Sequence, residues 1–345
     1  MTAKGCFTLL VRAIGLILAL VIIFAIIGYF WQQNAEATDN EQYPATGELY
    51  EIEGCMMHLN CQGEGDNTII LDVSLGGWSI DFADLQAVLT EQNRVCSYDR
   101  AGYGWSDFDA GERNSQVIAD DLLALLDVAG ITEPVTLIGF SFSGLHTRLI
   151  AIQHPERVNG LILLDPALEN DSSLYSDQLL QQQQSLIGLY GLFGSLAEVG
   201  LVRALNPEEM APSAPFIPQG QSERYYARLS APEWWYVSQQ EFSTMITGES
   251  ATIVESAGNL PTDLPLIVIG IDTYPEGFPE DIPANRTQNL QTLVAQSELG
   301  QYWVAEGVAH VTSKHLSQRR LSGSIIRQNN TTLKIASVLN YGDVT

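Results

Sequence analysis

An α/β protein built on a mostly parallel sheet is what this sequence predicts, and three observations carry the prediction. Short apolar runs rich in β-branched residues alternate with helix-like stretches from residue 67 to residue 165, the pattern of a parallel sheet covered by helices. One run, Val135-Thr136-Leu137-Ile138, leads into Gly139-Phe140-Ser141-Phe142-Ser143-Gly144 and then into the helical stretch 145–152. A strand, a turn of small residues around a serine, and a helix together expose a nucleophile at a sharp bend. The alternation then stops over residues 167–259 and resumes at 264–271, as expected of a helical insertion between two parts of one sheet.

At the N-terminus, residues 13–31 contain no charged side chain. At ~1.5 Å per residue such a helix reaches roughly 28 Å, about the thickness of a bilayer core. Lys4 and Arg12 precede it, and Glu36, Asp39 and Glu41 follow. Positive charge stays on the cytoplasmic side, so residues 1–12 are expected inside and the bulk of the chain outside, with 13–31 as a retained transmembrane anchor. The competing reading is a cleaved secretory signal ending near Ala35-Glu36-Ala37. Tyr29, Phe30 and Trp31 form an aromatic belt at the far interface, and residues 32–46 read as a polar, acidic linker.

The first part of the core is expected over 47–166. Residues 47–52 and 56–61 read as strands, and 67–73 as a strand buried on both faces, ending in Ser74-Leu75-Gly76-Gly77. A helix at 82–89 and a strand at 94–98 follow, then a loop at 99–107. A helix at 116–129 carries Ile118, Leu122, Leu123, Leu125 and Leu126 on one side. After the serine turn comes a strand at 160–164, ending at Asp165-Pro166. Residues 167–260 form the cap, with Tyr225, Tyr226, Trp234, Trp235 and Tyr236 read mainly as its core. Residues 261–345 return to the sheet: a strand ending at Asp272, a helix at 286–297, a strand at 301–305, a loop ending at His310, and a closing helix at 322–339.

Composition narrows the partners. The 345 residues carry a formal net charge of -25, which excludes nucleic-acid binding through a basic patch. The four cysteines, Cys6, Cys55, Cys61 and Cys96, include no C-x-x-C pair, so zinc and iron–sulfur centres are not expected, and no cofactor is implied. The expected partners are a small-molecule or lipid-like acyl substrate and, through the N-terminal helix, a membrane.

A serine hydroxyl becomes a nucleophile only with a base in reach, and the base needs a carboxylate to hold its tautomer. Of five histidines, His58 is inside an early strand, His146 points along the helix after the serine, His154 ends that helix, and His315 stands beside the last helix. His310, in a loop directly after a late strand, is the expected base. The acid is Asp165 or Asp272, each following a strand, with Glu276, Glu280 and Asp281 behind them.

The order of loop, Ser141, cap and His310, with Asp99-Arg100-Ala101-Gly102-Tyr103-Gly104-Trp105-Ser106-Asp107 ahead of the serine, resembles the α/β-hydrolase superfamily. Within it, the chain resembles bacterial membrane-anchored serine hydrolases that carry this loop. The resemblance implies an α/β-hydrolase fold: a mostly parallel eight-stranded sheet with helices on both faces and an inserted helical cap. It implies an oxyanion hole from the backbone N–H groups of Leu75 and Phe142. It favours Asp165 as the acid, because Asp165-Pro166 matches the string of that family, with Asp272 the alternative. It places the second and fourth strands side by side, hence a Cys61–Cys96 disulfide with Cys55 free. Four features depart from the family: Ser74 and Ser143 stand where glycine is usual, Phe140 where histidine is usual, and residues 311–315 lack the proline-bearing helix start. The 99–107 loop reads as mainly structural, with Trp105 a candidate for lining the pocket. The expected function is a membrane-anchored serine hydrolase cleaving an ester, thioester or amide through an acyl-enzyme on Ser141. The alternative is a non-catalytic binding protein of the same fold. Relatives that act as dehalogenases or epoxide hydrolases place Asp where Ser141 stands.

Overall fold

The computed structural model describes residues 3–174, 176–205, 220–274, 281–310 and 321–322. Strands β1 (Glu48–Ile52), β2 (Cys55–Gln62), β3 (Thr68–Asp72), β4 (Arg94–Tyr98), β5 (Val135–Phe140), β6 (Val158–Leu164), β7 (Leu266–Thr273), β8 (Gly300–Ala309) and β9 (Leu321–Ser322) form one sheet. Their order is β1-β2-β4-β3-β5-β6-β7-β8-β9. The pairs β1/β2, β2/β4 and β8/β9 are antiparallel, and every other pair is parallel. The eight strands β1–β8 are those expected from the sequence. The two-residue β9 is an addition, and it places Ser322 in a strand where a helix was expected. The rest of that expected helix, His315 and the 311–315 segment lie outside the described residues.

Alternation along the strands builds two apolar layers, because successive side chains point to opposite faces of a sheet. Ile70, Leu137, Leu161 and Leu163 face one way, onto helices α3 (Ser115–Val128) and α4 (Ser143–Gln153). Ile69, Leu71, Ile138 and Ile162 face the other way, onto Leu85 and Leu89 of α2 (Ala83–Leu89). Every residue of β5 is buried, so the strand that delivers Ser141 is held on both faces. Helix α3 starts where Asn114 Oδ1 accepts the backbone N–H groups of Gln116 and Val117, satisfying donors that a helix start leaves unpaired.

Between β6 and β7 the described chain is helical: α5 (Asp177–Glu198), α6 (Leu201–Ala204), α7 (Ser222–Leu229), α8 (Pro232–Ile246) and α9 (Glu249–Ala257). Tyr225, Trp234 and Trp235 form a buried aromatic cluster with Trp78 and Tyr103, so these cap aromatics are cap core. Trp105, a candidate for lining the pocket, belongs to that cluster instead and is not among the residues lining the cavity at Ser141. Its Nε1 donates to the Tyr43 carbonyl at 2.9 Å, and Arg224 and Arg228 lie over its ring.

The linker expected at 32–46 is not a linker. Helix α1 (Ala3–Gln42) runs through most of it without a break. No Gly or Pro occurs between residues 29 and 43 to stop the helix, and its polar turns have a surface to bind. Gln32 is buried and donates to the Ser230 carbonyl at 2.8 Å. Asp39 pairs with Arg203 at 2.8 Å. Elsewhere, Cys61 and Cys96 stand opposite each other in the β2/β4 register and are disulfide-linked, while Cys55 is a free thiol.

Candidate active site

Ser141 follows β5 directly and takes a φ of 57°, in the left-handed region that non-glycine residues rarely occupy. The backbone around it is pinned. Its N–H donates to the Leu164 carbonyl at 3.0 Å, and its carbonyl accepts the N–H groups of Gly144 and Ala167. Glycine is needed on both sides. A Cβ at Gly139 would stand 2.6 Å from Thr147 Oγ1, and one at Gly144 would overlap Pro166. Ser143, in the usual glycine slot, carries no positive φ. Its buried hydroxyl accepts the Phe140 N–H at 2.6 Å and donates to the Asp72 carbonyl at 2.8 Å. Instead of straining the turn, this serine ties the ends of β3 and β5 together.

The end of β8 brings His310 to the turn. Its Nε2 lies 2.9 Å from Ser141 Oγ, and its Nδ1 lies 2.5 Å from Asp165 Oδ2. Among the described histidines no other has a contact to Ser141. His58 accepts the Gly47 N–H, His146 bonds Asp72, and His154 faces Glu156 at the surface. Of the two candidate acids, Asp165 meets the imidazole. Asp272 Oδ1 instead accepts the Gly307 N–H at 2.8 Å and the Thr273 hydroxyl at 3.0 Å. Asp281 is in the first turn of α10 (Asp281–Val294), and Glu276 and Glu280 lie outside the described residues. The ring of Phe140 stacks at a tilt 5.2 Å from the imidazole, an apolar shoulder where the resembling family has histidine.

Arg286, on α10, is the participant that the sequence reading missed. Its Nη2 donates to Asp165 Oδ1 at 2.9 Å and to the Pro166 carbonyl, while Nη1 donates to Asp171 Oδ2 at 2.5 Å. Burial pushes the Asp165 carboxyl up, but the neighbouring His310 and Arg286 outweigh it and hold it below the usual carboxylate range. Asp171 goes the other way, with burial raising it despite Arg286. No local motif marks Arg286. Only the packing of α10 against β7 and β8 puts its guanidinium beside Asp165.

The loop after β3 carries Leu75 and is pinned on both sides of it. Arg100 donates to the Val73 and Ser74 carbonyls at 2.7 and 3.0 Å. The Gly76 N–H donates to the Tyr103 hydroxyl at 3.2 Å, and Trp234 Nε1 donates to the Gly76 carbonyl at 2.7 Å. Among the described residues, neither the Leu75 nor the Phe142 amide donates a hydrogen bond. Arg100 is itself fully engaged, with Glu241 of α8 at 2.8 Å and Asp72 at 3.1 Å. The 99–107 loop thus welds the cap to the sheet. A cavity of about 320 Å³ opens over Ser141 and His310, walled by Leu145, Leu168, Met245, Ile246 and Ile271.

A family model described as the alpha/beta hydrolase fold matches residues 67–198. The uncharacterized protein YqjL of Bacillus subtilis (strain 168) is 30% identical over 125 residues, 36% of this chain and 49% of that protein. A 2-hydroxy-6-oxononadienedioate/2-hydroxy-6-oxononatrienedioate hydrolase of Comamonas testosteroni is 32% identical over 139 residues, 39% of this chain and 48% of that enzyme. The chain spans about half the length, or less, of the curated relatives it matches. Among solved structures, a Pseudomonas aeruginosa protein assigned as an epoxide hydrolase superposes with a TM-score of 0.59 at 19% identity, over 77% of this chain and 89% of that one. With the strand order above, these likenesses identify the α/β-hydrolase fold.

Proposed function

We propose that this α/β-hydrolase-fold protein is a membrane-anchored serine hydrolase that cleaves an ester, thioester or amide through an acyl-enzyme on Ser141. The observation that carries the proposal is the line from Ser141 Oγ to His310 Nε2, His310 Nδ1 to Asp165, and Asp165 to Arg286, at 2.9, 2.5 and 2.9 Å. Ser141 Oγ attacks the substrate carbonyl carbon as His310 Nε2 takes its proton. Asp165 holds the Nδ1 proton in place and stabilises the imidazolium. The carbonyl oxygen becomes an oxyanion facing the amides of Leu75 and Phe142, and each such donor is worth roughly 2.7–4 kcal/mol of barrier. Collapse breaks the bond to the alcohol, thiol or amine, which leaves with the proton from His310. Water then adds to the acyl-enzyme by the same steps, releasing the acid and restoring Ser141.

The apolar walls of the cavity favour a hydrophobic acyl or alcohol part, in a small-molecule or lipid-like substrate. Serine at the turn separates this chain from the epoxide hydrolases that share the fold. The anchor reading rests on α1, which is long and apolar enough to cross a membrane, with residues 7–24 exposed along their whole length. An N-terminus in the cytoplasm and a hydrolase domain outside agree with the flanking charges and with a disulfide at Cys61–Cys96.

The test is covalent labelling with a fluorophosphonate. Wild-type protein takes the label on Ser141, and Ser141→Ala, folded to the same extent, takes none and loses all ester hydrolysis. Folded wild-type protein that takes no label would favour the non-catalytic binding protein instead.

A further inference from the structure

The cap carries an apolar face that nothing among the described residues covers. Outside α1, the described residues include seven exposed large hydrophobic side chains, and five of them are cap leucines: Leu186, Leu189, Leu192, Leu201 and Leu205, 43% to 60% exposed. The first three recur every third residue along α5, so they share one side of that helix. Between residues 178 and 197, α5 carries no charged side chain at all. Twenty uncharged residues of helix with a leucine face are unusual on the surface of a protein whose net charge is -25.

Contacts with α1 fix where this face sits. Gly28 of α1 meets the Val199 backbone so closely that a Cβ there would overlap the Val199 carbonyl. Three residues further along α1, the Trp31 ring packs on Gly200, where an added Cβ would stand 2.7 Å from Trp31 Cε3. Gly28 and Trp31 belong to the last turn of the apolar span 13–31. Three residues of helix are about 4.5 Å along the axis. The Val199-Gly200-Leu201 corner, where α5 ends and α6 begins, therefore stands at the level where α1 leaves the apolar core of a bilayer.

We propose that the leucine face of the cap rests on the same bilayer that α1 crosses, with Leu186, Leu189, Leu192, Leu201 and Leu205 in the outer headgroup–acyl boundary. The domain then meets the membrane twice, through a spanning helix and through an interfacial one. This inference rests on the reading of α1 as a membrane anchor. The occupant is lipid because the helix that carries the face ends in a corner, Val199-Gly200, packed on the interfacial turn of the anchor. The lipid is expected to be zwitterionic as readily as anionic, since no basic residue lies on α5 to select charge.

The test uses the full chain carrying Cys6→Ser and Cys55→Ser, reconstituted in phosphatidylcholine vesicles. Nitroxide labels are placed singly at Leu189→Cys, Leu192→Cys and Leu201→Cys. A label at Ile22→Cys reports on α1, and one at Leu49→Cys on an exposed site away from the cap. Collision rates with oxygen and with a water-soluble nickel chelate are compared. The cap labels are expected to follow Ile22, oxygen-accessible and nickel-shielded, and to differ from Leu49. If they follow Leu49 while Ile22 reads as lipid, the cap inference is overturned and the anchor reading stands. If Ile22 also reads as water, both fall. Cap labels shielded from both reagents, with dipolar broadening between copies, would show a second copy of the chain on this face and would equally overturn the inference.

Discussion

Two aspartates end the strands that flank β5, and each is held by one histidine and one arginine. Asp72 closes β3 and bonds His146 Nε2 at 2.7 Å and Arg100 at 3.1 Å. Asp165 follows β6 and bonds His310 Nδ1 at 2.5 Å and Arg286 at 2.9 Å. Both carboxyls are pushed up by burial and pulled further down by the histidine and arginine beside them, ending below the usual range. The sets differ in the ring nitrogen that meets the aspartate. His146 spends its outer nitrogen, Nε2, on Asp72, and its Nδ1 is buried without a hydrogen-bond partner among the described residues. His310 meets Asp165 with Nδ1 and Ser141 with Nε2. His146 has no exposed side-chain surface, whereas His310 is 46% exposed. The same three residue types thus build a sealed strut on one side of the turn and a candidate base on the other. Ring orientation and access to the cavity separate the two, not residue type.

The largest expected effect tests the assignment of the open set. Asp165→Asn should lower kcat by about 10⁴-fold, the loss expected when the base is left with the wrong tautomer, while Asp272→Asn keeps full activity. Steady-state kinetics on an ester substrate reads both, and the reverse result would transfer the role to Asp272. Next comes the sealed set. Asp72→Asn should cost about 3–5 kcal/mol of stability, the usual penalty for breaking a buried pair, measured by urea unfolding at neutral pH. Because the Asp72 pKa is lowered in the folded state, its contribution is complete above the ordinary carboxylate value, near ~3.9. It is lost as pH falls through the lowered value, so the gap between wild type and Asp72→Asn should close in acid.

Arg286→Gln should leave Ser141, His310 and Asp165 in place but let the carboxylate move. A misplacement on the order of 1 Å costs about 10²-fold, so kcat should fall by that factor with little change in KM. An unchanged kcat would make Arg286 a structural tie only. The smallest effect belongs to Ser143→Gly, which restores the usual glycine. It removes two buried hydrogen bonds worth about 1–3 kcal/mol together, seen as a lower Tm, with activity within roughly threefold because neither bond touches the reacting atoms.

Much of this was legible in the linear chain. The parallel sheet follows from apolar runs alternating with amphipathic stretches, a property of each segment by itself. Ser141 was legible because a strand, a small-residue turn and a helix are consecutive in sequence, and His310 because it alone among five histidines ends a late strand. The linker was misread because a polar helix looks like a polar coil until a surface for Gln32 and Asp39 is known. Trp105 stayed open as a pocket candidate because loop sequence does not say which side of the loop faces the cavity.

From the sequence alone came the fold class and the candidate nucleophile and base, all features carried by short contiguous segments. Tertiary structure alone brought Asp165 rather than Asp272 to the His310 imidazole, oriented His146 and His310 differently, and set Arg286 beside Asp165. Those outcomes depend on which strand ends become neighbours and how a helix 121 residues from Asp165 packs against them. Contacts at that separation leave no trace in local periodicity.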